Sequence, residues 1–283
     1  MTVDPMSTST LPPMQTRPRT IAFTSGKGGV GKSNLVLNTG LALARRGCRV
    51  AIFDGDLGLA SINVLLGLAP RFDLRHVVSG ERRLRDIVLR GPHGISIVPA
   101  GAGVAELANL GHADREALLE QLRDIEENVD FLLVDTGAGI NDTVLNLVVA
   151  SDEAVVVTRP EPTALADAYA LMKVIVREAP TYPFHVLINM VRDGAQAAQV
   201  YRSLSEILQK FLGYQPGDAG FVVTDPRVGQ GVVQQVPFTL LAPQCPAARD
   251  VDAFAGRILG APVGPTPALG GLWSRLASWG RRV

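Results

Sequence analysis

The sequence lacks the features of a secreted or membrane-spanning protein. Its 283 residues include two cysteines, Cys48 and Cys245. Their separation fits neither a metal site nor a redox motif, so both are predicted to be free thiols in a reducing compartment. No apolar run approaches the ~20 residues that a transmembrane helix needs. The N-terminus also lacks the basic region and apolar core of a secretory signal. We therefore expect a soluble, cytoplasmic protein.

Net charge and aromatic residues are scarce as well. Basic and acidic residues number 27 each, so the overall charge does not indicate a nucleic-acid partner. Aromatic residues make up 5% of the chain, and the four histidines show no metal-binding spacing. The length fits one large α/β domain with tails.

What the chain does contain is a glycine-rich stretch after its first predicted strand, residues 21–24. Gly26, Gly31, Lys32 and Ser33 match the phosphate-binding loop pattern. Glycines let backbone N–H groups turn inward around phosphate oxygens, and the following helix points its positive end at the anion. Lys32 is expected to reach the β- and γ-phosphates, and the Ser33 hydroxyl to bind Mg²⁺. The residues predicted to cradle the nucleotide are Gly26, Lys27, Gly28, Gly29, Val30, Gly31, Lys32, Ser33 and Asn34.

Carboxylates follow two other predicted strands. Residues 49–53 form a buried strand that leads into Asp54 and Asp56, and residues 131–135 form an apolar strand that ends in Asp135. Ligands of open α/β sheets bind at the carboxyl ends of the strands, so these acids are predicted to lie beside the loop. Asp135 has the Walker B position, where it would hold Mg²⁺ through a water. Asp54 is the weaker candidate, since it could simply hold its own loop.

The loop has a second lysine, and K-G-G-V-G-K-S at residues 27–33 resembles the deviant Walker A motif of the MinD/ParA family of ATPases. This resemblance implies a P-loop α/β fold, with a mostly parallel sheet between helices on both faces, that binds ATP and Mg²⁺ and forms a homodimer with ATP. Lys27 would reach the partner's nucleotide, and Asp56 would orient the attacking water. The implied catalytic residues are Lys27, Lys32 and Asp56, and the implied metal residues are Ser33, Asp56 and Asp135.

The same resemblance suggests where the adenine binds. Asn189, at the end of a predicted strand, resembles the adenine-reading asparagine of the family, with Arg192 packing on the base. The loop at Asp225 and Pro226 resembles the one that closes over the adenine. Guanine readers use N-K-x-D, whereas the chain has N-M-V-R-D from Asn189, so ATP is favoured over GTP.

Two further segments narrow the resemblance to the flagellar-number regulators FlhG and FleN. They are D-G-D-L-G-L-A-S-I-N-V-L-L-G-L at residues 54–68 and G-P-H-G-I-S-I-V-P-A-G-A-G at residues 91–103. The partners implied are the flagellar GTPase FlhF and the transcriptional activator of flagellar genes. Residues 1–20 lack the D-Q-A-x-x-L-R motif of many FlhG proteins, so GTPase stimulation is not carried over. A MinD-like division-site ATPase and a ParA-like DNA-partition ATPase are the alternatives, and the neutral charge argues against the second.

The predicted organisation is a disordered tail at residues 1–20, an ATPase domain at 21–260, a linker at 261–271 and an amphipathic helix at 272–283. Leu272, Leu276 and Trp279 share one face of that helix and Trp273 flanks it, while arginines lie elsewhere. This composition is typical of a helix in a membrane interface. We expect reversible binding to lipids of the cytoplasmic membrane in the ATP dimer, where two copies act together. The alternative is a helix that docks on the body of the protein.

A run of arginines precedes residue 91. Arg82, Arg83, Arg85 and Arg90 could form a nucleic-acid patch, but the interleaved Glu81 and Asp86 favour a solvated helix face.

Overall fold

A mostly parallel sheet forms the centre of the molecule. The computed structural model describes residues 17–56, 61–100, 112–261 and 271–279. Within them, eight strands are arranged in the order β3-β4-β2-β5-β1-β6-β7-β8. Each neighbouring pair is parallel except β3 and β4. The strands are β1 (Arg19–Ser25), β2 (Val50–Gly55), β3 (Leu89–Arg90), β4 (Ser96–Pro99), β5 (Phe131–Ala138), β6 (Glu153–Thr158), β7 (Phe184–Val191) and β8 (Gly217–Val223).

Helices cover both faces of this sheet. Their bounds are α1 (Lys32–Arg45), α2 (Ser61–Leu65), α3 (Leu74–Val78), α4 (Leu84–Ile87), α5 (His112–Glu127), α6 (Asp142–Ala150), α7 (Pro162–Glu178), α8 (Gly194–Leu212), α9 (Pro226–Gln234), α10 (Phe238–Leu241), α11 (Pro246–Gly260) and α12 (Leu272–Trp279). One apolar cluster joins the sheet to α1 and α11, and another joins it to α5, α6, α7, α8 and α12. The central strands are therefore buried on both sides, as parallel sheets require.

Local chemistry sets many of the helix ends. Asn141, Asp193 and Asp225 precede α6, α8 and α9, and their side chains accept N–H groups of the first turn, which stabilises a helix start. Proline begins α7, α9 and α11, where its missing N–H is not needed. Gly213 ends α8 in the left-handed conformation, with φ of 64°.

Several predicted bounds differ from the observed ones. Strand β1 begins at Arg19, two residues before the predicted start of the fold, because Arg19 and Thr20 already pair with Phe131 and Leu132 of β5. The buried Arg19 guanidinium is also paired with Glu153 at 2.5 Å. Strand β5 continues through Thr136 to Ala138, three residues beyond its predicted end at Asp135. The short antiparallel strand β3 was not predicted at all. Most of the predicted linker and N-terminal tail lies outside the described residues.

The C-terminal helix α12 docks on the body, which is the alternative considered for this segment. Leu272 and Trp273 are 0% and 1% exposed, and the Trp273 ring contacts Phe53 of β2 edge to face, with centroids 4.7 Å apart. Trp273 was expected to flank the apolar face, yet it is the largest fully buried side chain of the described residues. Leu276 packs against the same apolar cluster, while the side chain of Trp279 lies outside the described residues.

Polar contacts also hold α12. Asp152 accepts from Arg275 Nη1 at 2.9 Å and from Arg17 Nη1 at 3.0 Å, so one carboxylate ties both ends of the described chain. The Glu126 carboxylate of α5 accepts the backbone N–H groups of Leu272 and Trp273. In the part of the chain that is described, no helix has both the length and the hydrophobicity to cross a membrane.

Candidate functional site

The loop between β1 and α1 has the backbone shape of an anion cradle. Gly29 and Gly31 have φ of 77° and 88°, values that residues with a Cβ rarely adopt. No side chain caps the start of α1. The first N–H groups of a helix have no partner within the helix itself, and they and the helix dipole favour an anion at this end of α1.

Asn189 fixes the end of this loop. Its Nδ2 donates to the Val30 carbonyl at 2.8 Å, and the amide is 7% exposed. A Cβ on Gly31 would overlap this amide, so glycine is needed at that position for space as well as for φ. Met190, the next residue, has φ of 58° and also lies against Gly31. Sequence analysis missed Met190, because an unusual φ at a non-glycine residue leaves no trace in the sequence.

A buried cluster of charges lies beneath the loop. Lys32 Nζ is paired with Asp135 Oδ1, and the two side chains are 6% and 0% exposed. Asp54 of β2 is the direct neighbour of Asp135 across the sheet. The three side chains come from α1, β5 and β2, and the sequence analysis predicted their meeting at the carboxyl edge of the sheet.

Asp54 is the most perturbed acid of this cluster. Burial raises its pKa to about 7, helped by the negative charge of Asp135, while N–H groups of Ile62 and Asp56 and the charge of Lys32 act in the opposite direction. Its Oδ2 accepts from Ile62 at 3.2 Å. Its Oδ1 is buried and has no hydrogen-bond partner among the residues that the structure describes. Asp54 thus holds its own loop through Oδ2 and keeps a second oxygen buried.

Asp56 lies near the end of β5. The Asp56 side chain is half-buried, and its Oδ1 would lie 3.9 Å from a Cβ on Gly137. Gly139 donates its N–H to the Ser25 carbonyl at 2.9 Å, which links the end of β5 to the phosphate loop. Asp56 therefore lies beside the small residues at the end of β5, and its role toward a bound phosphate stays a prediction.

Lys27 projects in a different direction from Lys32. Its Nζ donates to Thr163 Oγ1 at 3.2 Å, in an exposed contact. Thr163 belongs to the first turn of α7, and the loop lies so close to this helix that a Cβ on Gly26 would overlap the Asp167 carbonyl. The two lysines of the loop thus have separate surroundings, since Lys32 is buried among carboxylates and Lys27 lies at the surface.

These residues fit a magnesium nucleotide. The orphaned Asp54 oxygen, the carboxylates of Asp56 and Asp135 and the Ser33 hydroxyl are hard oxygen ligands of the kind that Mg²⁺ prefers. Among the described residues, no group of three or more His, Cys, Asp or Glu side chains could hold a metal alone. Mg²⁺ in nucleotide sites is bound by one or two protein groups, waters and the phosphates, so such a group is not required.

The predicted adenine residues lie around β7 and β8. Asn189 contacts the loop as described. The Arg192 side chain is exposed, and its backbone N–H donates to Gln196 at 2.8 Å. Asp225 is hydrogen-bonded to the N–H groups of Arg227 and Ala247, and these bonds outweigh burial and lower its pKa. Asp225 and Pro226 thus start α9 and shape the loop, and their contact with adenine stays a prediction.

The chain is similar to known P-loop proteins over most of its length. Residues 17–194 match the ParA family model, described as NUBPL iron-transfer P-loop NTPase. The chain is 38% identical over 247 residues to the antiactivator FleN of Pseudomonas aeruginosa, covering 87% of this chain and 88% of the relative. It is 35% identical to the flagellum site-determining protein YlxH of Helicobacter pylori, covering 66% and 63%. The septum site-determining protein MinD of Bacillus subtilis is 30% identical, covering 67% and 71%.

Solved structures have the same fold. The MinC:MinD cell division complex of Aquifex aeolicus matches with a TM-score of 0.67 and 24% identity, covering 88% of this chain and 98% of that one. MinD from Pyrococcus horikoshii, complexed with Mg-ADP, matches with a TM-score of 0.67 and 22% identity, covering 85% and 96%. At these identities the likeness concerns the fold alone.

Proposed function

This chain belongs to the MinD/ParA family of P-loop ATPases, which use ATP and Mg²⁺, and from that premise we propose that it is an ATP-dependent dimerisation switch that regulates the number or placement of flagella. The observation that supports the switch is the separation of the two loop lysines. Lys32 is buried with Asp135, whereas Lys27 is half-buried and its ammonium makes a surface contact with Thr163 at the start of α7. A second copy facing this edge could receive Lys27 without any rearrangement of the core.

The charges of the site suggest how each residue acts. Lys32 is paired with Asp135. Phosphate oxygens would compete for its ammonium, and the uncapped N–H groups of α1 would add donors. Mg²⁺, when bound, supplies positive charge to the phosphates. Asp56 would accept a hydrogen bond from the attacking water and orient it, and Lys27 of a second copy would stabilise charge that develops on the transferring phosphoryl group.

The switch is tested with the variant Asp56→Ala. We expect this variant to bind ATP but not to hydrolyse it, so it should form a lasting dimer with Mg-ATP, seen by light scattering. A second substitution, Lys27→Ala, should weaken that dimer without removing ATP binding, because Lys27 lies outside the buried cluster. A monomer in the Asp56→Ala protein saturated with ATP would contradict the role proposed for Asp56.

The flagellar role is supported by the names of two relatives, FleN and YlxH, and by the higher identity to FleN than to MinD. FlhF or a flagellar transcriptional activator would then be the partner of the ATP dimer. Deleting the gene should change the number or position of flagella in electron micrographs while cell length stays normal. Minicells with normal flagella would instead favour the MinD-like role in division-site selection.

We also propose that the ATP dimer binds the cytoplasmic membrane through α12. Because Leu272 and Trp273 are buried in the docked helix, membrane binding requires α12 to undock. Loss of their burial costs about 1.5–3 kcal/mol for each residue, so one copy should bind lipid weakly, and two copies on one dimer more strongly.

Liposome co-sedimentation tests this proposal. The Asp56→Ala protein with ATP should pellet with anionic liposomes, and a truncation that removes residues 272–283 should remain in the supernatant. ATP binding by the truncated protein serves as the control for folding. Equal sedimentation of the truncated protein would place the membrane contact elsewhere.

A further inference from the structure

A basic groove lies at the edge of the sheet opposite the phosphate loop. It has a volume of about 860 Å³ and is lined by Arg49, Arg83, Arg85, Arg90 and His93 together with apolar and amide side chains. Arg49 immediately precedes β2, Ser96 begins β4, and Asn128 and Val129 precede β5, so the groove is at the amino ends of these strands. The loop site is at their carboxyl ends, roughly 20 Å away at 3.3 Å per residue along β2.

The groove carries positive charge that the protein does not neutralise. Arg49 is paired with Asp130 at 2.8 Å, and Arg85 lies 3.9 Å from Asp86 with both side chains exposed. Within the described residues, the Arg83 and Arg90 side chains are exposed and have no carboxylate within ion-pair distance. Asp124 is the one acid among the lining residues. The arginine run was predicted to be a solvated helix face. In the structure, three of its arginines, Arg83, Arg85 and Arg90, line the same groove.

Arg82, the remaining arginine of the run, lies outside the groove. Arg82 lies over the Phe72 ring, 4.2 Å from its centroid, and does not line the groove. Helix α4 is only four residues long, so Arg83, Arg85 and Arg90 come from its start, its first turn and strand β3. The turn at β3, rather than a helix face, brings them together.

We propose that this groove binds an acidic peptide segment of a partner protein. Unpaired guanidinium groups recognise carboxylates through charge-assisted hydrogen bonds. Between them, Leu84, Val88, Ile125 and Val129 provide apolar lining, which suits the side chains of a peptide better than a phosphate backbone. The chain's own residues 1–16 contain a single acid, Asp4, so this segment lacks the complementary charge.

Nucleic acid is the competing ligand, and two observations disfavour it. A nucleic-acid site follows a row of phosphates with many basic groups, whereas two of the four arginines of this groove, Arg49 and Arg85, already have an acidic neighbour. The protein as a whole has no net charge. Because the groove lies opposite the nucleotide edge, it would remain accessible in each copy of a dimer that uses the loop edge.

Fluorescence anisotropy of a labelled peptide of alternating Glu and Leu tests the proposal on the full-length protein. We expect saturable binding that weakens with salt and at least a tenfold higher Kd in the Arg83→Glu/Arg90→Glu variant. The milder Arg83→Gln/Arg90→Gln variant should give an intermediate loss. Unchanged ATPase activity would show that both variants are folded, since neither residue belongs to the nucleotide site.

The matched control is Arg249→Glu, which reverses one exposed arginine of α11 that does not line the groove. It should bind the peptide like the wild type. The proposal is overturned if the wild-type protein does not bind the peptide, if the groove variants bind it normally, or if Arg249→Glu loses as much affinity. Tighter binding of a labelled oligothymidine than of the peptide, lost in the same groove variants, would make the groove a nucleic-acid site instead.

Discussion

Short sequence patterns defined both the phosphate loop and the C-terminal helix α12. Only the loop pattern predicted which residues would lie around the segment. In the loop, glycine positions, Lys32 and the acids after two strands are each tied to one location in a parallel sheet. In α12, an apolar face needs only to be buried, and lipid or protein serves equally well. The difference is that the loop motif encodes backbone geometry, whereas the amphipathic pattern encodes only a preference for an apolar contact.

The largest effect is expected from a substitution of Lys32, which tests whether the loop pattern defines the nucleotide site. We expect Lys32→Ala to lower ATPase activity at least 100-fold, about 3 kcal/mol of transition-state stabilisation, because the substitution removes the charge that faces the phosphates. Steady-state phosphate release measures the effect. The control is Lys173→Ala in α7, which leaves the loop intact and should retain normal turnover. Normal turnover in Lys32→Ala would mean that the loop pattern does not define the site.

The same distinction explains which parts of the site the sequence could predict. Lys32, Asp54, Asp56 and Asp135 were predicted to meet because each follows or begins an element whose place in the sheet is fixed by its order. Thr163 and Met190 were not assigned contacts with the loop. Their contacts depend on how α7 and β7 approach the loop in three dimensions, and no local pattern specifies this approach.

Local sequence patterns also left some features of the fold unpredicted. The alternation of apolar strands and helices predicted a parallel α/β sheet, but not strand β3, since its two residues pair with β4 only after a turn. The arginine run gave no indication of a groove, because its concave shape comes from α4 and α5, which are separated in sequence by more than twenty residues. Patterns thus predict elements well, whereas surfaces formed by distant elements require the structure.

A substitution of Trp273 tests whether α12 is docked on the body of the protein. Since its ring is 1% exposed and packs on Phe53, Trp273→Ala should lower the free energy of unfolding by about 3–5 kcal/mol. If α12 instead detaches from a body that stays folded, the loss will be smaller and tryptophan fluorescence will report the change at Trp279. Urea unfolding followed by circular dichroism measures the stability.

The control for Trp273 is Phe211→Ala, which removes an aromatic ring that is 64% exposed and should change stability by less than about 0.5 kcal/mol. Equal effects of the two substitutions would mean that α12 is not docked in solution. The amphipathic face would then be free for lipid even in the monomer.

The smallest predicted effect concerns Glu126, whose contact with α12 makes the stability of the protein depend on pH. Burial raises the pKa of this carboxyl to about 7, although the N–H groups of Trp273 and Leu272 and the charge of Arg275 oppose the shift. A carboxyl whose pKa is raised by folding contributes stability that is complete below its unfolded pKa, 4.5, and is lost as the pH rises through 7. The contribution is at most about 3 kcal/mol, from a shift of roughly two and a half pKa units.

Glu126→Gln cannot ionise but keeps an oxygen that can accept the same N–H groups. We therefore expect the variant to lose less stability than the wild type between pH 5 and pH 8, as measured by urea unfolding at each pH. Asp54, whose pKa is also raised, is present in both proteins, so its contribution cancels in the difference. Identical pH profiles would show that Glu126 is not buried against α12, and the docked helix would then rest on its apolar contacts and on Asp152 alone.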